Sequence, residues 1–208
     1  MKLQIALDTL TIEECISLLD ETKDYVDVIE VGTPFIIEEG MRPVREFKKR
    51  YPGLEVLADA KIMDAGELEA ECAFKAGADI VTVLGASNDE TILGAVKAAK
   101  KYGGKIMIDM IAVKNLAERT AELDAMGVDY ICVHTAFDVQ ASGKNPLDEL
   151  IVVNQVVNQA KSAVAGGVKL ATIDDIVKEG AEIVVVGGAI SNAADRPAMA
   201  REIKQHMQ

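Results

Sequence analysis

Charged and ionisable residues interrupt the apolar runs of this 208-residue chain at a few recurring places, and their types are those of acid–base and metal chemistry. In "LADAKIMDAG" (57–66), Asp59, Lys61 and Asp64 follow an apolar stretch almost without transition. Burying charges at a strand end is expensive unless they are paired or bound to something. Other apolar runs end in the same manner, at Asp8, Glu30, Asp109 and His134. Several carboxylates around one ammonium make an anionic pocket, for which a divalent cation is the natural neutraliser. Hard oxygen donors with room left for substrate oxygens suit Mg²⁺ or Mn²⁺. A salt-bridge layer explains any single pair equally well, but it must explain all the run ends together. His134 is one of two histidines. A lone strand histidine is more often packed than catalytic; facing a carboxylate cluster, it becomes a candidate general base. His206 lies near the C-terminus and receives no role.

The elements that must position these residues are legible as an alternation. Strand patterns occur at 3–7, 26–31, 55–60, 79–84, 105–110, 129–134, 162–166 and 182–187. Helical patterns lie between them, at 11–22, 38–50, 66–76, 88–102, 114–126, 146–160, 170–179 and 193–206. Thr11 and Glu14 form a capping box at the first helix. Three joints repeat one phrase, "KAGADIV", "AMGVDYI" and "KEGAEIV", with glycine where a helix C-cap needs a left-handed residue. Eight βα units with short connections, and no G-x-G-x-x-G after the first strand, predict an α/β protein: a single compact (β/α)8 TIM barrel spanning 1–208. In such a barrel the site lies at the C-terminal strand ends. Asp8, Glu30 and Asp59, on the first three strands, then converge on one side of the mouth. Asp59 and Lys61, two apart, point to the same side of their strand. Asp64 falls beyond the strand, in the loop.

The last two strands end in "VAGG" (164–167) and "VVGGAI" (185–190). Paired glycines let backbone N–H groups approach an anion, and the loops after strands 7 and 8 are a frequent phosphate site in this fold. Tight turns use glycine pairs too; their place after the last two strands favours phosphate. No Walker motif is present, so no nucleotide cofactor is implied. A metal beside a general base and a phosphate anchor reads as an enzyme acting on a phosphorylated sugar.

Composition agrees. Hydrophobic residues make up 50% and aromatics 4%, with no Trp, so the core must be aliphatic. A net charge of −12, from 34 acidic against 22 basic residues, argues against nucleic acid and anionic membrane as partners. Cys15, Cys72 and Cys132 show neither disulfide nor zinc spacing. With no signal-peptide core near the N-terminus and no apolar run of membrane-spanning length, a cytoplasmic location is expected.

Asp59-x-Lys61-x-x-Asp64, with Asp8, "VIEVGTP" (28–34), "DMIAVKNL" (109–116), "VHTAFD" (133–138) and the two glycine pairs, resembles the orotidine 5′-phosphate decarboxylase suprafamily. The surroundings of His134 resemble its hexulose-phosphate synthase branch, over essentially the whole chain. That resemblance implies condensation of formaldehyde with D-ribulose 5-phosphate, through a metal-stabilised enediolate, to D-arabino-3-hexulose 6-phosphate in the ribulose monophosphate pathway. It implies Glu30 and Asp59 as ligands of Mg²⁺ or Mn²⁺, and His134 as the base at C1. Lys61 would be hydrogen-bonded among Asp8, Asp59 and Asp109 and would position the intermediate. Gly166, Gly167, Gly187, Gly188 and Ala189 would cradle the phosphate. It also implies a homodimer with shared active sites, in which Asp64 serves the neighbouring subunit. Two alternatives are a 3-keto-L-gulonate-6-phosphate decarboxylase and a catalytically silent sugar-phosphate-binding barrel. The decarboxylase branch carries an Arg soon after the strand-6 His and another after the strand-8 Gly; "HTAFDVQ" and "GGAI" have none. The chain departs from the synthase branch at Ala136, where glycine is usual, which bears on efficiency.

Overall fold

The computed structural model describes residues 1–140 and 145–208. Its strands are β1 (Lys2–Leu7), β2 (Val28–Val31), β3 (Glu55–Ile62), β4 (Ile80–Leu84), β5 (Lys105–Asp109), β6 (Tyr130–His134), β7 (Lys161–Ala165) and β8 (Ile183–Val186). They close into one parallel barrel in chain order, β8 pairing back onto β1. The expected (β/α)8 barrel is therefore the observed one.

Around it lie α1 (Ile12–Thr22), α2 (Thr33–Glu39), α3 (Arg42–Arg50), α4 (Gly66–Ala76), α5 (Asp89–Tyr102), α6 (Leu116–Ala125), α7 (Phe137–Gln140), α8 (Pro146–Val156), α9 (Leu170–Glu179), α10 (Gly188–Ser191) and α11 (Arg196–His206). The capping box at α1 is present, with the Glu14 N–H donating to Thr11 Oγ1 at 3.2 Å and the Thr11 N–H to the Glu14 carboxylate at 2.9 Å. The helix expected over 38–50 is instead two. Gly40, at φ 60°, ends α2, and Pro43 starts α3 in the first-turn position that its missing N–H tolerates.

Alternation along the strands sorts their side chains into two cores. Leu3, Ile5 and Leu7 of β1 face the helices with Val81, Val83, Ile106 and Ile108. Val28, Leu57, Ile80, Met107, Tyr130 and Ile183 belong to a separate cluster that fills the barrel interior. At the N-terminal end, Glu55 pairs with Lys2 and with Lys105, the latter at 2.9 Å.

The same rim carries a repeated device. Asp27 accepts the Leu3 N–H at 2.7 Å, Asp79 the Val56 N–H at 2.7 Å and Asp129 the Ile106 N–H at 2.8 Å. Each aspartate returns its own N–H to the carbonyl of the same residue. One residue thus ties β1 to β2, β3 to β4 and β5 to β6. The "GADIV" and "GVDYI" phrases supply two of these aspartates, while the glycines before them, Gly77 and Gly127, hold φ of 103° and 78°. At the fourth pair, Glu182 makes the backbone bond, to the Ser162 carbonyl at 2.8 Å, without the matching side-chain bond among the described residues.

Candidate active site

The C-terminal mouth opens into a cavity of about 1150 Å³. Asp8, Glu30, Asp59, Lys61 and His134 line it, as do Gly166, Gly167, Gly187, Gly188 and Ala189. Asp109 stands behind Lys61 and His134, buried, and bonds to both. Asp64 is exposed, does not line the cavity, and caps its own loop by accepting the Ala65 N–H at 2.7 Å.

β3 is irregular where the chemistry begins. Ala58 pairs with Val81, but the next partner, Val83, is met by Ile62 rather than Ala60. Three residues of β3 thus oppose Thr82 alone, and Lys61 takes a left-handed φ of 46°. For a residue with a Cβ that conformation costs about 1–2 kcal/mol. Thr82 offsets it from both sides. Its hydroxyl donates to Asp59 Oδ1 at 2.8 Å and accepts the Lys61 N–H at 2.9 Å. Thr33 Oγ1 meets Asp59 Oδ2 at 2.9 Å, so Asp59 is clamped by two hydroxyls.

From there a charged relay crosses the mouth. Lys61 Nζ lies 2.5 Å from Asp59 Oδ2 and 3.3 Å from Asp109 Oδ2, and Asp109 Oδ2 lies 2.8 Å from His134 Nδ1. Asp109 Oδ1 accepts the Ile111 N–H at 2.9 Å. Burial disfavours the Lys61 ammonium, but Asp59 and Asp109 outweigh it and hold its pKa well above the usual lysine range. Burial likewise works against the Asp109 carboxylate, yet its bond to His134 and the charges of His134 and Lys61 bring its pKa below the ordinary value. Lys61 is therefore a fixed cation and Asp109 a fixed anion.

Glu30 is different. It is buried, and its one hydrogen bond among the described residues comes from the neutral amide of Gln4, Nε2 to Oε2 at 2.5 Å. Burial, then the nearby Asp59 charge, push its pKa up to about 8. Asp8 is raised for the same two reasons, in the same order. The mouth thus holds more carboxylate than its ammonium neutralises. No three His, Cys, Asp or Glu side chains among the described residues form a complete metal cage. Glu30 and Asp59 offer two hard donors, a number that suits a cation completing its shell with water and substrate oxygens. In that sense the donor set fits the expected metal.

One expected contact is absent. Lys61 pairs with Asp59 and Asp109 but makes no ion pair with Asp8 among the described residues. Asp8 lies one residue past β1. It occupies the space beside Gly32, where a Cβ would fall 2.0 Å from Asp8 Oδ1. The glycine of "VIEVGTP" is therefore required by the aspartate.

The glycine pairs differ from one another. Gly166 and Gly167 have φ of 93° and 75°, and a Cβ on Gly166 would meet the Thr135 carbonyl at 2.2 Å. Gly187 has room, its nearest neighbour being the Ala6 Cβ at 3.5 Å. Residues outside the sequence expectations also reach the site: Thr33 and Lys169 on the cavity wall, with Thr82 and Gln4 bonded to its carboxylates. Gln4 and Thr82 were marked in the sequence by the signal that revealed Asp59, a polar residue inside an apolar strand run.

A closed parallel barrel with a fixed ammonium, a carboxylate-oriented imidazole and uncompensated acids at its C-terminal mouth defines a barrel enzyme of acid–base chemistry. The family profile described as orotidine 5′-phosphate decarboxylase / HUMPS family matches residues 1–203. The chain belongs to that family. It is 52% identical over 205 residues to a 3-hexulose-6-phosphate synthase of Bacillus subtilis (strain 168), covering 99% of this chain and 98% of the relative. The crystal structure of 3-hexulose-6-phosphate synthase from Salmonella typhimurium is similar at 47% identity and a TM-score of 0.97, over 100% of this chain and 98% of the other. The 3-keto-L-gulonate-6-phosphate decarboxylase from Vibrio cholerae gives 25% identity and a TM-score of 0.86, over 99% and 96%. Among the described residues no helix is long and apolar enough to cross a membrane.

Proposed function

We propose that this enzyme is an aldehyde-lyase that joins formaldehyde to D-ribulose 5-phosphate, giving D-arabino-3-hexulose 6-phosphate. The observation that carries the reading is the Asp109–His134 pair beside the Lys61 ammonium, in a chain similar throughout to synthases of that name. Asp109 is an acceptor, so His134 turns its protonated Nδ1 to it and keeps Nε2 as the base. Nε2 takes the C1 proton of the ribulose phosphate, leaving an enediolate. C1 then attacks the formaldehyde carbon, one carbon–carbon bond forms, and the carbonyl π pair moves to oxygen. The proton held on His134 returns to that oxygen, which balances the step. Lys61 stays protonated, so it is no base; it sets a positive charge beside the developing oxyanion.

Glu30 and Asp59 would hold Mg²⁺ or Mn²⁺. When bound, such an ion supplies Lewis-acid polarisation of the substrate's keto and hydroxyl oxygens. Gly166, Gly167, Gly187, Gly188 and Ala189 would present backbone N–H groups to the phosphate. No nucleotide cofactor takes part. Asp64 would act in the site of a second copy. The large apolar residues exposed nearby, Met63 and Leu68, with Ile37 and Leu93, support burial of that face in a homodimer. A role in formaldehyde fixation in the cytoplasm belongs to the same proposal.

The cavity wall favours the synthase over the decarboxylase, because no arginine lines it among the described residues. The test is a paired assay with and without chelator. It follows formaldehyde-dependent loss of ribulose 5-phosphate beside CO₂ release from 3-keto-L-gulonate 6-phosphate. Chelator-sensitive aldol addition faster than decarboxylation is expected; the reverse ranking overturns the assignment.

A further inference from the structure

Gln4 projects into the barrel interior from the middle of β1, one inward position below Ala6, and is 1% exposed. An amide at that depth is expensive unless both its ends are bonded. Only one end is. Nε2 donates to Glu30 Oε2 at 2.5 Å, while Oε1 is buried with no hydrogen-bond partner. An apolar side chain would fill the same space without an orphaned carbonyl. The amide is thus explained by what its nitrogen does to Glu30, not by packing.

Asp59 needs no such help, because Thr33 and Thr82 already bond its two oxygens. Glu30 has a longer side chain with one more rotatable bond, and Gln4 is its one hydrogen-bond partner among the described residues. By engaging Oε2, the amide fixes the carboxylate plane and leaves Oε1 as the oxygen without a hydrogen bond. We propose that Gln4 is a positioning residue for the cation site, its amide holding the Glu30 carboxylate in the orientation that binds the ion. The inference rests on the assignment of Glu30 and Asp59 as metal donors made above.

Outer-shell partners of metal-ligating carboxylates are worth about 10- to 100-fold in metal affinity. Gln4→Met keeps length and volume but removes the donor. Gln4→Asn keeps an amide but withdraws it from Glu30 by one methylene, and serves if the methionine variant fails to fold. Metal-free full-length protein is titrated with Mn²⁺ alone, and free Mn²⁺ is read from its electron paramagnetic resonance signal. Thermal unfolding in chelator checks that the fold is kept.

Either Gln4 variant is expected to bind Mn²⁺ about 10- to 100-fold more weakly than wild type. Turnover should recover when Mn²⁺ is raised, a rescue that a purely structural role does not give. Glu30→Gln should lose the site, and Gln4→Met added to it should weaken Mn²⁺ binding no further. Wild-type Mn²⁺ affinity in the Gln4 variants, with loss in Glu30→Gln, overturns the role of Gln4 alone. Wild-type affinity in Glu30→Gln overturns the metal assignment beneath it, and Gln4 falls with it.

Discussion

Replacing Asp109 by asparagine separates geometry from charge at the centre of the relay. Each bonding partner of Asp109 among the described residues is a donor: Lys61 Nζ and His134 Nδ1 reach Oδ2, and the Ile111 N–H reaches Oδ1. A carboxylate accepts from all three; an amide of the same shape cannot. If the introduced amide keeps its oxygen toward Ile111, its NH₂ faces the Lys61 ammonium and forces His134 into the tautomer whose Nε2 carries the proton. The base nitrogen is then unavailable. If the amide flips, the oxygen serves His134, but the NH₂ meets the Ile111 N–H inside a buried pocket. An unsatisfied buried donor costs about 1–3 kcal/mol. That is the least the native tautomer requires in the variant, and it corresponds to a loss of about 5- to 150-fold in rate. The assay is exchange of the C1 proton of ribulose 5-phosphate in D₂O, followed by proton NMR without formaldehyde, so that it reports the base alone. Thermal unfolding on the same samples separates lost catalysis from lost fold. Exchange at the wild-type rate in a folded Asp109→Asn enzyme would refute the orientation of His134 by Asp109.

Three further outcomes are expected. Glu30, with a folded pKa of about 8 against the usual 4.5, stays protonated in the metal-free fold after it has ionised in the unfolded chain. Its contribution to stability is therefore present below pH 4.5 and lost as pH rises to about 8. Thermal melts of metal-free Glu30→Gln should show a shallower decline over that range than wild type. Gly166→Ala, with its Cβ at 2.2 Å from the Thr135 carbonyl and a φ of 93°, should destabilise by about 2 kcal/mol or more in chemical denaturation. Gly187→Ala should fold normally and raise KM for the sugar phosphate instead. Asp64→Asn and His134→Asn, each inactive alone, should regain part of the activity when mixed and refolded together, since a hybrid dimer holds one intact site; no recovery would place Asp64 outside the partner's chemistry.

How much of this was legible in the residues depends on whether neighbours or alternation decided it. The barrel follows from strand runs separated by helical patterns, and alternation alone brought Glu30, Asp59 and His134 to one mouth. Asp109 was legible as an inward residue at the end of its strand, though not as the group that orients His134. The irregularity of β3 was not legible: lysine carries no signal for a left-handed φ, and the bulge exists because Thr82, on another strand, holds two residues of it. The break between α2 and α3 was visible in Gly40 and Pro43, yet the apolar periodicity reads through it. That Lys61 pairs with Asp59 and Asp109 and not with Asp8, among the described residues, is a matter of side-chain geometry that no spacing in the chain encodes.

The three aspartates at the N-terminal rim have a bearing on how this chain tolerates being cut. Each stitches an odd strand to the even strand after it, at the end of the barrel opposite the mouth. The side-chain stitches group the strands in twos at this rim; at the seams, between β2 and β3, β4 and β5, and β6 and β7, the carbonyls of the same aspartates accept the Glu55, Lys105 and Lys161 N–H groups. A circular permutation that opens the chain at a seam leaves every stitch within one continuous segment. An opening between β1 and β2, β3 and β4, or β5 and β6 puts the aspartate and its partner at opposite ends of the new chain. The β7–β8 pair, which carries both glycine loops, has no such side-chain stitch among the described residues; the Glu182 N–H reaches the Ser162 carbonyl and the Glu182 carbonyl accepts the Lys2 N–H. Exchanging that pair therefore leaves the three aspartate stitches in place.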